Sequence, residues 1–204
     1  MLCTTNIVSK RTLKVYSVFT THISSSFTTD PTLPTTLLPS QYVANCWRRY
    51  QAYAAALPQN NALNGKIFEA IIASELYRQG LTPFFKQAKV TFVPNVDFDI
   101  VLYDTTKNIP ISLSIKTSVR ERYKQADLEA VALKYVHRNA KNYLIMLDGA
   151  EATSLKTKAS TGDLLGIDEI IQADTTDFDN LITSLKTSTY GSPAPVEIIT
   201  GSVV

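Results

Sequence analysis

SLSIKTSVRERYKQADLEA, residues Ser112 to Ala130, is the stretch whose reading decides the fold. Through Lys116 the residues alternate, Leu113 and Ile115 against Ser112, Ser114 and Lys116, which is the period of a strand with one face in a core. From Val119 the apolar positions move to helical spacing at Tyr123, Ala126, Ala130 and, further on, Leu133. The period changes across Thr117-Ser118, so a strand is expected to pass into a helix there, the helix running to about Arg138.

Working back, Phe98 to Tyr103 and Ile109 to Lys116 flank the polar turn Asp104-Thr-Thr-Lys-Asn108, the signature of an antiparallel hairpin. A loop of about four residues pairs position 99 with 114 and position 97 with 116. Asp97, Asp99, Val101 and Tyr103 then share a face, and both acids can meet Lys116. Phe84 to Val93 reads as a further strand. Upstream, Ala62 to Gln79 has an apolar stripe of Ile67, Phe68, Ile71, Ile72 and Leu76, with Gly80 placed for a left-handed C-terminal cap. Glu75 falls within that stripe and Glu69 at its edge, either as partners for a core cation or as further acids at a site, Glu69 before Glu75. Ser40 to Leu57 predicts a helix capped by Ser40, while Ser24 to Pro39 is a Ser/Thr/Pro-rich linker and Leu13 to Phe19 an arm of strand type.

Downstream, Tyr143 to Leu147 is an apolar run of buried-strand type. Residues 149 to 165 read as a loop, Ile167 to Ala173 as an edge strand and Asp177 to Lys186 as a short closing helix. The fold class is therefore α/β (α+β): a mixed sheet of about five strands flanked by helices. We divide the chain into an N-terminal arm, linker and helix (1–60) and a core (61–204).

The 204 residues are 45% hydrophobic, enough for one well-filled core. Lys and Arg number 20 against 18 Asp and Glu. A net charge of +2 does not announce a nucleic-acid partner, so that argument must rest on local clustering. The two cysteines, Cys3 and Cys46, have no metal-ligand spacing and fit a reduced cytoplasmic compartment. No apolar run approaches the ~20 residues that span a bilayer, and no Gly-rich phosphate loop suggests a nucleotide cofactor. His22 and His137 lack partners at ligand spacing, and Arg48 and Arg49 beside Trp47 and Tyr50 read as a solvated helix face.

Carboxylates that hold a divalent metal, with a cation that orients water and offsets developing charge, are what phosphodiester hydrolysis requires. Asp97 or Asp99 with Lys116 supplies part of that set, Asp99 being preferred because it opposes Ser114. An acid two residues before the lysine is absent, since Ser114 stands there. Glu129 lies beside the sheet-facing stripe of the following helix and could lean back to fill the gap. At the start of that helix, Arg120 can pair bidentately with guanine while Glu121 accepts from cytosine, and Arg122 and Lys124 suit phosphates. Ser118-x-x-Glu121 is equally a capping box, a local device.

Ser114-Ile-Lys116, Arg120-Glu121-Arg122 and Glu129 together resemble the pattern of type II restriction endonucleases in the PD-(D/E)xK superfamily, the EcoRII, SsoII, PspGI and NgoMIV group, whose second carboxylate has migrated to the helix after the lysine strand. The motif spans about a tenth of the chain. The resemblance implies a restriction-endonuclease-like core and a Mg²⁺-dependent homodimer that cuts double-stranded DNA at GC-rich palindromes related to CCGG, CCNGG or CCWGG. It implies Asp99, Lys116 and Glu129 as catalytic residues, with Asp99 and Glu129 on the metal and Arg120 and Glu121 reading G·C pairs. Pro94-Asn-Val-Asp97-Phe-Asp99 departs from the family's Pro-Asp pair, and the chain is short for the group. The competing expectations are a structure-selective or nicking repair or mobile-element nuclease of the same fold, and a catalytically inactive DNA-binding protein.

Overall fold

The computed structural model describes residues 37–93, 95–119 and 122–193. The arm expected over Leu13 to Phe19, most of the Ser/Thr/Pro linker, and Arg120 and Glu121 lie outside the described residues. Two helices come first, α1 (Pro39–Ala54) and α2 (Asn61–Arg78). Three antiparallel strands follow: β1 (Phe84–Ala88), β2 (Phe98–Asp104) and β3 (Ile109–Lys116). Then α3 (Arg122–Val136), β4 (Lys141–Met146), α4 (Gly149–Ser160), β5 (Glu169–Gln172) and α5 (Thr176–Leu185) alternate. The sheet order is β1-β2-β3-β4-β5, with β3, β4 and β5 parallel, so this is a mixed five-stranded sheet between helices.

Local chemistry sets the boundaries. Pro39 occupies the first turn of α1, where its missing N–H is harmless. Ser40 does not cap that helix as expected: Leu38 holds the cap position, and the Ser40 backbone N–H and hydroxyl both donate to the Asp179 carboxylate at 2.8 Å. The linker-proximal end of α1 is thus tied to α5, a long-range use of Ser40 that its neighbours in sequence do not reveal. Asn60 Oδ1 accepts from Leu63 N–H at 3.0 Å to open α2. Gly80, at φ +75°, closes α2 with Leu81 N–H on the Leu76 carbonyl and its own N–H on the Tyr77 carbonyl, the paired bonds of a Schellman cap.

The hairpin has the expected register, Ile100 opposite Leu113 and Asp104 opposite Ile109. Asp104 Oδ1 accepts from the N–H groups of Thr106 and Lys107, and Asn108 takes φ +55°, which gives the turn its geometry. One apolar cluster sets Ile100, Leu102, Leu113 and Ile115 against α1, α2 and α5. A second sets Leu144, Met146 and Ile170 against Val119, Ala126, Ala152 and Leu155. The sheet is therefore covered on both faces, and α2 is held where its Glu69 flank borders the end of β3.

Two further expectations fail. β1 ends at Ala88 rather than Val93, with left-handed backbone at Gln87 (φ 47°) and Phe92 (φ 67°). Residues 149–160 form α4, not a loop: Asp148 Oδ1 accepts from Glu151 N–H at 2.9 Å, and only Ala152 and Leu155 are buried. With two core residues the helix has almost no apolar stripe, so periodicity misses it.

Candidate functional site

The mouth of the β2–β3 hairpin gathers the chemistry. Lys116 Nζ lies 2.6 Å from Asp99 Oδ2, and Ile115 N–H donates to the same oxygen at 2.7 Å. Both side chains are mostly shielded, Lys116 at 22% and Asp99 at 12% exposure, so the pair acts in a medium less screening than bulk water. Among the described residues Asp99 Oδ1 has no hydrogen-bond partner. Asp97, the alternative acid, is 56% exposed and faces Lys89 at 3.7 Å instead.

Glu69 enters from α2. Its carboxyl is held above the ordinary glutamate range first by burial and then by the negative charge of Asp99, while Lys116, Lys86 and a hydrogen bond from Gln87 oppose the shift. Gln87 Nε2 donates to Glu69 Oε2 at 3.3 Å from its left-handed position on β1. Lys86, next to it, is pushed below the ordinary lysine range by burial, with Glu69 pulling the other way. Two carboxylates, two lysines and an amide thus converge from α2, β1, β2 and β3.

Glu129, expected as the second carboxylate, makes neither a hydrogen bond nor an ion pair with Lys116 or Asp99 among the described residues. Its Oε1 accepts from Gln125 Nε2 at 2.8 Å, one turn earlier on α3, and it makes no ion pair among the described residues. The stripe beside which it was placed is real, with Ala126, Ala130 and Leu133 buried, but a place beside a buried stripe does not aim a side chain at a particular strand end. Arg122 and Lys124 are exposed at the start of α3. Arg120 and Glu121 lie outside the described residues. Ser114 Oγ is buried without a hydrogen-bond partner, so the position where an acid was sought is an unsatisfied hydroxyl.

Beside the pair opens a cleft of about 320 Å³ between α2, which contributes Lys66 and Glu69, and the β3–α3 junction, which contributes Lys116, Ser118, Arg122 and Gln125. Its far wall is fixed by a residue that the sequence reading passed over: Glu151 Oε2 accepts from Val119 N–H at 2.7 Å, anchoring the junction to α4. The signal was present as Asp148-x-x-Glu151, a helix-start pattern inside the supposed loop.

Among the described residues no three His, Cys, Asp or Glu side chains are grouped to hold a metal ion. Glu69 and Asp99 are two carboxylates, and that donor set fits Mg²⁺, which commonly takes one or two carboxylates and completes its octahedron with water and substrate phosphate. No helix among the described residues is long and apolar enough to cross a membrane. Comparison with protein-family models, curated proteins and solved structures finds no match.

Proposed function

We propose that the chain is a Mg²⁺-dependent endonuclease acting on double-stranded DNA, a type II restriction enzyme on a PD-(D/E)xK core that cuts a GC-rich palindrome as a homodimer. The observation that carries this reading is Lys116 bonded to Asp99 at the open end of a hairpin, with Glu69 beside them. The antiparallel β1-β2-β3 followed by a helix and a parallel β4 supports the same reading, since it sets the acid and the lysine at one end of adjacent strands.

Asp99 through Oδ1 and Glu69 are the residues that would hold the metal, Glu69 taking the place first given to Glu129. Bound there, Mg²⁺ supplies charge neutralisation on the phosphoryl oxygens. Lys116 orients the attacking water and offsets charge as it develops, and its bond to Asp99 fixes the ammonium in place. Arg122 and Lys124 contact phosphates, and Arg120 and Glu121 read bases, the last role resting on the family resemblance alone.

Purified protein incubated with a plasmid rich in CC/GG sites, with and without Mg²⁺, tests this. Discrete fragments that need Mg²⁺ support a restriction enzyme, whereas nicks or smears favour the structure-selective alternative. The unsatisfied Ser114, where an acid would complete a three-carboxylate set, favours the other alternative, an inactive DNA-binding protein. Binding without any cutting would bear that out.

A further inference from the structure

Gly65 is the fifth residue of α2, where glycine weakens a helix relative to alanine because more backbone freedom is lost. Helical glycines usually answer to a crowded neighbour. Here nothing explains it: a Cβ built on Gly65 meets no atom within 4 Å. The space that the missing side chain leaves is the cleft beside Lys116, which Gly65 and Ala62 line together. Small residues at positions i and i+3 leave this turn of the helix bare on the side that faces the cleft.

Two cations flank the bare turn from opposite walls. Lys66 lies on α2 and Arg122 at the start of α3, and both line the cleft and are exposed. Among the described residues neither makes an ion pair, although Lys89, Lys107, Lys134, Lys141 and Lys156 all do. Asn61 and Gln125 put amides on the same two walls. Glu69 is the one carboxylate in the lining, set against Lys66, Lys116 and Arg122; three cations, two amides and a bare backbone match a chain of anions that must come close to the helix, and a volume of about 320 Å³ is at the small end for ligand sites.

We propose that the turn Ala62–Lys66 of α2 is a track for the sugar–phosphate backbone of duplex DNA: Gly65 is the point of closest approach, and Lys66 and Arg122 hold phosphates on either side of the one presented to Lys116. The proposal rests on the endonuclease reading and extends it, because it assigns DNA contact to α2, where no DNA-contacting residue had been expected. The two cations fix position along the backbone and carry no base preference.

The test measures binding of a short duplex in EDTA by fluorescence anisotropy across a salt series, with the full chain and three variants. Lys66→Gln and Arg122→Gln should each weaken binding about five- to tenfold at 0.1 M salt and reduce the slope of log affinity against log salt by about one, irrespective of sequence. Gly65→Gln should also lose at least about tenfold, while its melting temperature is equal to or above that of the wild type, which separates blockage of the track from misfolding. Wild-type affinity and slope in Lys66→Gln and Arg122→Gln, wild-type affinity in Gly65→Gln, or no duplex binding by the wild-type chain, would overturn the proposal. Plasmid cutting in Mg²⁺ is scored alongside. Variant-sensitive binding without cutting upholds the track and removes the hydrolytic reading; cutting with variant-insensitive binding removes the track alone.

Discussion

Asp99 holds Lys116 through one oxygen and the backbone of the neighbouring residue Ile115 through the same oxygen, at 2.6 and 2.7 Å. The lysine's position therefore depends on the acid. Lys116→Ala and Asp99→Ala should each lower the rate of DNA cleavage by about 10² or more, the scale of losing one group aimed at developing charge. Single-turnover cleavage of a labelled plasmid checks this, and a variant that cuts at more than a tenth of the wild-type rate rules out that residue's role.

The second carboxylate is decided by a pair of variants. Glu69→Ala should lose cleavage as severely as Asp99→Ala, whereas Glu129→Ala, which among the described residues breaks the bond from Gln125 alone, should cut within about threefold of wild type. The reverse result would restore the assignment drawn from the sequence.

Glu69 also predicts a pH dependence of stability. Its folded-state affinity for a proton is raised by burial and by Asp99, so the native state binds more protons than the unfolded one between the ordinary glutamate value and the raised one. Stability contributed by this residue should fall as pH rises through that window and stay level above it. Denaturant melts of wild type and Glu69→Gln at a series of pH values read it out: the variant should be the more stable above the window and show a flatter profile within it. Equal profiles would show that Glu69 is not strained.

Asp127 and Gly166 lock a loop to α3. The Asp127 carboxylate accepts from the N–H groups of Leu165, Gly166 and Ile167, and a Cβ on Gly166 would come within 2.4 Å of Val131 N. Asp127→Ala should cost about 3 kcal/mol by leaving buried donors unpaired, and Gly166→Ala about 2 kcal/mol by overpacking against backbone. Chemical denaturation measures both, and a loss under 0.5 kcal/mol in either, on the order of an ordinary surface change, would contradict the contact.

Cys46 is buried and free, and burial raises its thiol to about 11. At pH 8 it is a neutral thiol, so a maleimide should modify it only after denaturation, as peptide mapping would reveal.

The hairpin, its register, α2 and its glycine cap were legible because each depends on neighbours within a few residues. The two period-two runs, the Asp104–Asn108 turn and Gly80 carry their own instructions. Which helix delivers an acid to the hairpin was not legible. Periodicity gives the buried side of α2 and of α3 separately, but it is the packing of α2 on β3 that turns Glu69 toward Asp99, and no local pattern encodes that packing. Gly65 was passed over for a related reason: a glycine in a helical pattern reads as a weakness until the space above it is seen to be empty.

The hairpin's open end has one more property. Paired register between β2 and β3 runs no further than Ile100 and Leu113, and beyond it the N–H of Ile115 is taken by the Asp99 carboxylate. The strand is closed here by a side chain and not by its partner's backbone. Opening of the two strands at this end must break that bond, and the exchange rate of a single amide proton, that of Ile115, reports on it.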